Sequence, residues 1–430
     1  MHPDLGADYA EWSEQAEELI ARLDGLRAQR DALRADAQED SAGALRFDSD
    51  EQRWWYEQLS DLVRGLEELA DPQHGIFHGT SPQDGPGIEQ RRADAERLHE
   101  STLGSAAARA AWEAARERIR SHAEYEGLEL APQYGLLPLG PDPLSGLEEF
   151  AHLPSGSAAQ RDAQGRLAIE EQTGIVLVLL PGGHPTLGAQ SVDPGQPNYD
   201  ALARRDESDA GRLDRVHLDP FFLGKYEVTQ AQWERLGGSN PSSFTPAPPV
   251  VADLTHPVEH VSWLDCQEVV VRRMGLALPT EAQWEYACRA GSEGPWCSGE
   301  ERAALAAYAN LCDLSFVQIL MLFDWKEESW SDGFPLHAPV GSFEANRLGL
   351  HDLHGNVWEW CEDRYLPYST PAQPGSGLRE GEPVGKRVFR GGSFFYAAGT
   401  ARSAFRYSYQ PEFARHNLGV RPARSIEPAP

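Results

Sequence analysis

The chain has 430 residues, which suggests two or three domains, and its 67 acidic against 38 basic side chains give a formal net charge of −29. That charge argues against a nucleic-acid partner, because phosphate neutralisation needs a basic surface; it suits a solvated surface or, more sharply, oxygen-ligated cations. An apolar share of 40% allows a real core, while 40 Gly and 31 Pro imply many turns and irregular connections.

Residues 9–38 read as a helix. Trp12, Ala16, Leu19, Leu23, Leu26, Arg30 and Leu33 follow the alternating four-and-three spacing of a coiled-coil seam. "RWWYEQLSDLVRGLEELADP" repeats it with Trp55, Leu59, Leu62, Leu66 and Leu69 and stops at Asp71-Pro72. Trp54 and Trp55 are expected in the core. His74 and His78 sit in a glycine-rich break and read as incidental rather than as metal ligands. A third helix is expected from Gln90 to Glu124. Together these helices predict an antiparallel bundle over residues 1–127, monomeric if its seams close within one chain and dimeric if they pair between chains.

A Pro/Gly-rich connector is expected over residues 128–168. Beyond it "IVLVLL" (Ile175–Leu180) and "HLDPFFLGKYEVT" read as strands. "TQAQWERLGG" reads as a short helix capped by Thr229 and closed by Gly237. "SWLDCQEVVVRRMGL" and "PTEAQWEYACRAG" read as two more, with Glu281 and Glu285 near the positive end of the second. After Gly291 the pattern is loops, aromatics and short strands. The fold class is α+β.

The cysteines Cys266, Cys288, Cys297, Cys312 and Cys361 show neither CxxC nor zinc spacing, so no disulfide framework or zinc site is implied, and they read as core thiols. The acidic start lacks an apolar signal core, and the longest apolar stretch, from Gly174, is too short to span a bilayer. The protein is expected to be soluble and cytoplasmic.

"GKYEVTQAQWERL", "HPVEHVSWLDC", "LPTEAQWEYACRAG", "GLHDLHGNVWEWCEDRY", "RVFRGGSF" and "NLGVRPAR" occur in that order. By these motifs the region 169–426 resembles the formylglycine-generating-enzyme (sulfatase-modifying factor) family. The resemblance implies a C-type-lectin-like domain with little regular secondary structure. The helical segment and connector are similar to the stretch that joins this domain to bacterial serine/threonine kinases, although no kinase motif is present. The resemblance also implies two calcium sites. One is Asp352, Gly355, Val357 and Glu359, with Gly and Val acting through backbone oxygen; the other is Asn310, Leu311, Asp332 and Phe334. Calcium takes six to eight oxygens at ~2.3–2.6 Å, which carboxylates and carbonyls in tight turns can supply. Asp352 replaces a common Asn, and the plainer alternative pairs Glu359 with an arginine. Arg390 and Arg421 are expected to hold loops through buried pairs, and Trp358 and Trp360 to be core.

Catalytic relatives use two nearby thiols that bind copper(I), for which soft thiolates are suited. The matching positions are Ala398 and Ser403, and no cysteine follows Cys361, so no copper is expected. The His-x-x-x-His-x-Glu motif of the related sulfoxide synthases is absent, and His99 and His122 are too far apart to replace it. The region 394–417 floors the substrate groove in relatives. Here Phe394, Phe395, Tyr396, Phe405, Tyr407, Tyr409 and Phe413, with His416, alternate with small polar residues, the chemistry of recognition loops. The expected function is non-catalytic binding of a protein or peptide, with no membrane or nucleic-acid partner. The alternatives are an oxidoreductase with another metal site, built from His351, His354 and His416, and a lectin-fold receptor diversified by a retroelement.

Overall fold

The computed structural model describes residues 6–39, 44–71, 80–81, 85–203, 213–248, 251, 253–320, 328–381 and 385–428. His74 and His78 lie outside them. The chain forms two compact units, Met1–Gly104 and Ser105–Pro430. Among the described residues no helix is long and apolar enough to cross a membrane.

The first unit contains α1 (Gly6–Ala21), α2 (Leu23–Ala35), α3 (Asp50–Ala70) and α4 (Ile88–His99). Ser49 caps α3, its hydroxyl accepting the Gln52 amide. The buried stripe of α3 is Leu59, Val63 and Leu66, and it packs on Leu23 with Leu26 and Leu69 alongside. The stripe is thus rotated from the expected seam. Leu62 and Leu19 are exposed, and Trp54 and Trp55, expected in the core, are half exposed and pack edge-on against each other at 4.8 Å. Only the i, i+4, i+7 positions that face α2 lose water.

The expected helix 90–124 is broken. A π-helical turn, Glu100–Gly104, ends the first part, and Ser105 starts α5 (Ala106–Ser121) by accepting the Ala108 amide. The unit boundary therefore falls at residue 104, ahead of the expected 127. In the second unit α5 packs on a sheet: Trp112 meets Phe150 at 5.4 Å, and Arg118 forks onto buried Glu148 at 2.5–2.9 Å.

That sheet has five antiparallel strands in the order β9-β4-β3-β2-β1, where β1 is Leu136–Pro141, β2 Glu148–His152, β3 Ile175–Leu180, β4 Phe221–Gly224 and β9 Ala423–Ser425. The segment 128–168, expected to be a connector, thus supplies two of the five strands. Pro138, Gly140 and Pro141 sit on edge strand β1 and at its bulge, where the missing donor costs least. Central β3 is buried at all six positions, which is why its sequence is an unbroken apolar run.

Between strands lie α6 (Gln230–Gly237), a one-turn helix Trp263–Cys266 continuing as a π-helix Gln267–Arg273, and α7 (Glu281–Arg289). Thr229, Ser262 and Thr280 each form a capping box, and Gly238, one residue beyond the expected Gly237, closes α6 with φ 84°. Glu281 and Glu285 do more than complement the α7 dipole. Both are buried, Glu281 holding Arg406 at 2.5–2.6 Å and Glu285 holding Arg289 and Arg390 at 2.8 and 2.6 Å.

A second sheet, in the order β7-β6-β5-β8, comprises β5 Trp358–Arg364, β6 Arg387–Arg390, β7 Tyr407–Tyr409 and β8 Leu418–Gly419. Only the β5–β8 pairing is parallel. Buried Arg421 locks this sheet to the first, binding Glu359 on β5 at 2.6–3.0 Å and the Gly224 carbonyl on β4 at 2.9 Å.

Candidate functional site

Strands β6 and β7 pair Phe389 with Tyr407 and Arg387 with Tyr409. Directly paired residues project to the same side of a sheet, so all four share one face. There Trp358, Phe389, Tyr396, Tyr407, Tyr409 and Phe413 enclose a cleft of about 90 Å³, with Arg415 at its lip and Asn417 in its wall. The rings support one another: Trp358 lies 5.3 Å from Phe389, Phe389 lies 5.3 Å from Tyr407, and Tyr409 stacks on Phe413 at 3.9 Å. Tyr407 and Tyr409 remain 50% and 42% exposed. The Arg415 guanidinium donates to the Tyr396 hydroxyl at 3.2 Å. Asn417 is buried, and its Oδ1 has no hydrogen-bond partner.

The eight residues expected to face a ligand divide. Tyr396, Tyr407, Tyr409 and Phe413 line the cleft. Phe394 is buried and belongs to a core cluster with Cys312 and Phe316. Phe395 and His416 pack against each other at 5.6 Å, and Phe405 braces Trp358 and Tyr407 from 6.1 and 6.5 Å. Trp358, expected purely as core, is the cleft floor. Two residues apart on β5, Trp358 and Trp360 project to the same face, and both rings lie against Phe389, at 5.3 and 5.1 Å.

The two positions matched to catalytic thiols are both fully buried. Ala398 packs with Trp296, Leu305, Leu311 and Ala401; its amide donates to Glu328 at 2.7 Å and its carbonyl accepts from Trp296 Nε1 at 3.1 Å. The Ser403 carbonyl accepts from Arg390 at 2.9 Å. One thiol does reach this place, from α7 rather than from the C-terminal segment: Cys288 Sγ lies 3.6 Å from Ser403 Oγ and 3.6–3.7 Å from both ring nitrogens of His354. Chain order hid this neighbour. His354 Nδ1 donates to the Ala401 carbonyl at 2.7 Å, so its Nε2 is the acceptor of the Cys297 amide at 3.0 Å. Burial holds His354 down at about 4 and pushes the Cys297 thiol up to about 12, with Cys288 also raised by burial. Protonated thiols are poor soft-metal ligands and poor nucleophiles. A wider groove of about 1210 Å³ passes Cys297, Tyr308, Phe343 and His351.

Two of the loops that the resemblance names for oxygen ligands meet where Asn310 pairs with Gly355. Gly355 has φ 89°, and a Cβ there would lie 2.1 Å from the Asn310 carbonyl oxygen, so both loops meet at a point only glycine permits. Asp352, also at positive φ, accepts the Gly341 amide through Oδ2 at 2.7 Å while its Oδ1 has no partner. Asn310 Oδ1 and Asp332 Oδ2 are likewise buried and unpartnered. Burial raises the Asp352 carboxyl, and burial with neighbouring Asp313 raises Asp332 to about 7. Glu227, which the sequence reading did not single out, is buried beside Asp352 and Glu359 and accepts from Asn356 Nδ2 at 2.8 Å. Glu359 itself is saturated by Arg421 and by Trp284 Nε1 at 2.6 Å, as the plainer alternative anticipated. Among the described residues no three His, Cys, Asp or Glu side chains converge as a metal-ligand group.

His351, His354 and His416 do not share a cavity wall through any contact with one another among the described residues. His351 stacks on Tyr226 at 5.0 Å, His354 contacts Cys288, and His416 meets Phe244. Two other pairs of histidines do touch: His184 stacks on His217 at 4.7 Å, and His256 meets His337, Nδ1 to Nδ1 at 2.9 Å, beside buried Glu259. Burial and the facing ring hold His256 down at about 4.

A small α+β domain of short strands, braced by buried Arg–Glu pairs and bearing a ring-lined cleft, is the class of protein these features define. Residues 165–426 match the family described as sulfatase-modifying factor enzyme 1-like domain, and the chain belongs to that family. It is 34% identical over 212 residues to the formylglycine-generating enzyme of Streptomyces coelicolor, covering 46% of this chain and 60% of that one. It is 33% identical over 207 residues to the inactive C-alpha-formylglycine-generating enzyme 2 of Mus musculus, covering 45% of this chain and 56% of that one. Each match thus spans less than two thirds of the relative. PvdO from Pseudomonas aeruginosa aligns in structure with a TM-score of 0.45 and 23% identity, over 63% of this chain and 99% of its own.

Proposed function

We propose that this protein is a non-catalytic binding module on a sulfatase-modifying-factor scaffold, and that it holds a protein or peptide in the ring-lined cleft. The observation that carries the reading is the filling of both thiol positions: Ala398 is closed into an apolar cluster, and Ser403 is walled in by Arg390 and Cys288. An oxygen-activating thiolate pair has no counterpart there, while the cleft beside it keeps two exposed tyrosines. The reading is supported by the similarity to a relative named as an inactive C-alpha-formylglycine-generating enzyme.

Calcium is the cofactor we propose, held by Asp352, Gly355 and Val357 with Glu227 nearby, and by Asn310, Leu311, Asp332 and Phe334. The unpartnered oxygens of Asp352, Asn310 and Asp332 support it, since a buried polar atom without a partner costs ~1–3 kcal/mol. Glu359 contributes charge rather than a free oxygen. Bound, the ion would offset the buried carboxylates and tie the two loops that meet at Gly355.

A second reading, an oxidoreductase with a displaced thiol site, is favoured by Cys288 beside Ser403 and by the wide groove that reaches Cys297. Anaerobic copper(I) titration separates the two. The binding-module reading expects no stoichiometric copper; one equivalent bound by the parent and lost in Cys288→Ala would establish the rival.

A further inference from the structure

The cleft has Arg415 in its lining, with Lys386 and Arg387 beside Tyr409, and this positive charge is only partly offset. Elsewhere in this unit buried cations are matched by carboxylates: Lys225 by Asp142 and Glu149, Arg402 by Asp200, and Arg406 by Glu281. Around the cleft they are less closely matched. Among the described residues Lys386 and Arg415 have no carboxylate at ion-pair distance, while Arg387 feels Glu362 and Asp363, and Arg364 feels Glu362, only from beyond that distance, in a chain where acids outnumber bases by 67 to 38. Arg415 engages only the Tyr396 hydroxyl, Lys386 stands 5.9 Å over the Tyr409 ring, and Arg387 lies 3.8 Å over Trp263 and donates to the Glu362 carbonyl. Arg387 also sits directly opposite Arg364 in the β5–β6 ladder. Like charges in that relation destabilise a sheet, and an anion placed near them would relieve the repulsion. Exposed Glu412, on the same turn as Phe413, forms no ion pair with any of the four.

We propose that the cleft takes an acidic peptide, with one of its side chains set among Trp358, Tyr396, Tyr407 and Phe413 and its carboxylates facing Arg415, Lys386 and Arg387. The proposal rests on the reading of this cleft as the binding site and names the chemistry of what binds there. A volume of about 90 Å³ admits the end of one side chain and nothing larger, since a cavity that encloses a whole benzene measures ~150 Å³. Asn417 Oδ1, buried in the wall without a partner, is an acceptor waiting for a donor such as a peptide N–H or a phenol. Aromatic anchor and cationic lip together select an acidic segment over a basic one. A long polyanion fits less well. Local attraction reaches only ~8 Å at physiological salt, and beyond it a nucleic acid would meet a chain of net charge −29.

The test is calorimetric titration of the full chain with four capped pentapeptides: Glu-Asp-Tyr-Asp-Glu, its neutral counterpart Gln-Asn-Tyr-Asn-Gln, the basic Lys-Arg-Tyr-Arg-Lys, and the ringless Glu-Asp-Ala-Asp-Glu. A ten-nucleotide oligothymidylate is the fifth probe. The acidic tyrosine peptide should bind best and weaken about tenfold in Arg415→Gln and again at high salt. The ringless peptide and the Tyr407→Ala variant should each cost about tenfold or more. Equal binding of the neutral or basic peptide, or no effect of Arg415→Gln, sinks the acidic preference; the binding-site reading then survives only if Tyr407→Ala still weakens the neutral peptide. If no peptide binds, or Tyr407→Ala changes nothing, both fall. Tighter binding of the oligothymidylate overturns the peptide in favour of nucleic acid.

Discussion

Replacing Arg421 by methionine is the sharpest probe of how the two sheets are joined. The guanidinium is fully buried and donates to Glu359 Oε1 and Oε2 at 2.6–3.0 Å, to the Gly224 carbonyl at 2.9 Å and to the His351 carbonyl at 2.8 Å. Methionine fills much of the volume and supplies none of these bonds. Glu359 would keep only Trp284 Nε1 and would be a buried carboxylate without a counter-charge. Breaking such a pair from one side costs about 3–5 kcal/mol, and two orphaned carbonyls add to that. The expected loss is therefore at least about 3 kcal/mol in urea unfolding of the second unit, followed by its near-ultraviolet circular dichroism with the denaturant slope unchanged. Arg421→Met with Glu359→Leu should recover the part of the loss that comes from the uncompensated Glu359 charge, while the Gly224 and His351 carbonyls and Trp284 Nε1 stay unpartnered. A loss below about 1 kcal/mol for the single variant, or no recovery in the double, would refute the assignment of Arg421 as the tie between the sheets.

Phe394→Ala should destabilise by about 3–5 kcal/mol, since that ring is core, whereas Tyr407→Ala should move stability by less than about 1 kcal/mol while weakening ligand binding; equal thermal shifts for the two would contradict the division of the aromatic set. Saturating calcium at about a hundred times its dissociation constant should stabilise the chelator-treated protein by ~2.7 kcal/mol in a thermal shift experiment, and Asp332→Asn should reduce the effect; no shift at any calcium concentration contradicts both oxygen sites. His256, His351 and His354 are each held at about 4 by burial, below the ordinary ~6.5. Their neutral forms contribute stability that is present above about pH 6.5 and is lost as pH falls towards 4. Their ring proton resonances should therefore not titrate between pH 5 and 8, and a midpoint near 6.5 for any of them would count against the packing described.

Much of this was legible from the order of motifs. Thr229 and Thr280 announced their helices because a capping box is local chemistry, and Arg390 and Arg421 were rightly read as buried partners of loops and strands. What stayed hidden depends on pairing between distant segments. The two strands within 128–168 carry Pro and Gly because one is an edge, and composition alone made them look like a linker. Trp55 satisfies a heptad that the packing of α2 on α3 does not use. Cys288 and Ser403 are 115 residues apart in the sequence. Glu227 could be found only once the turn around Asp352 was seen folded against it.

The account stands or falls on whether the place occupied by Ala398 and Ser403 can activate oxygen. Oxygen-electrode recordings of the copper(I)-treated full chain with a cysteine-containing peptide and a thiol reductant test this directly. The account predicts consumption no faster than copper and reductant alone, with the peptide mass unchanged; protein-dependent uptake accompanied by conversion of the peptide cysteine would contradict it.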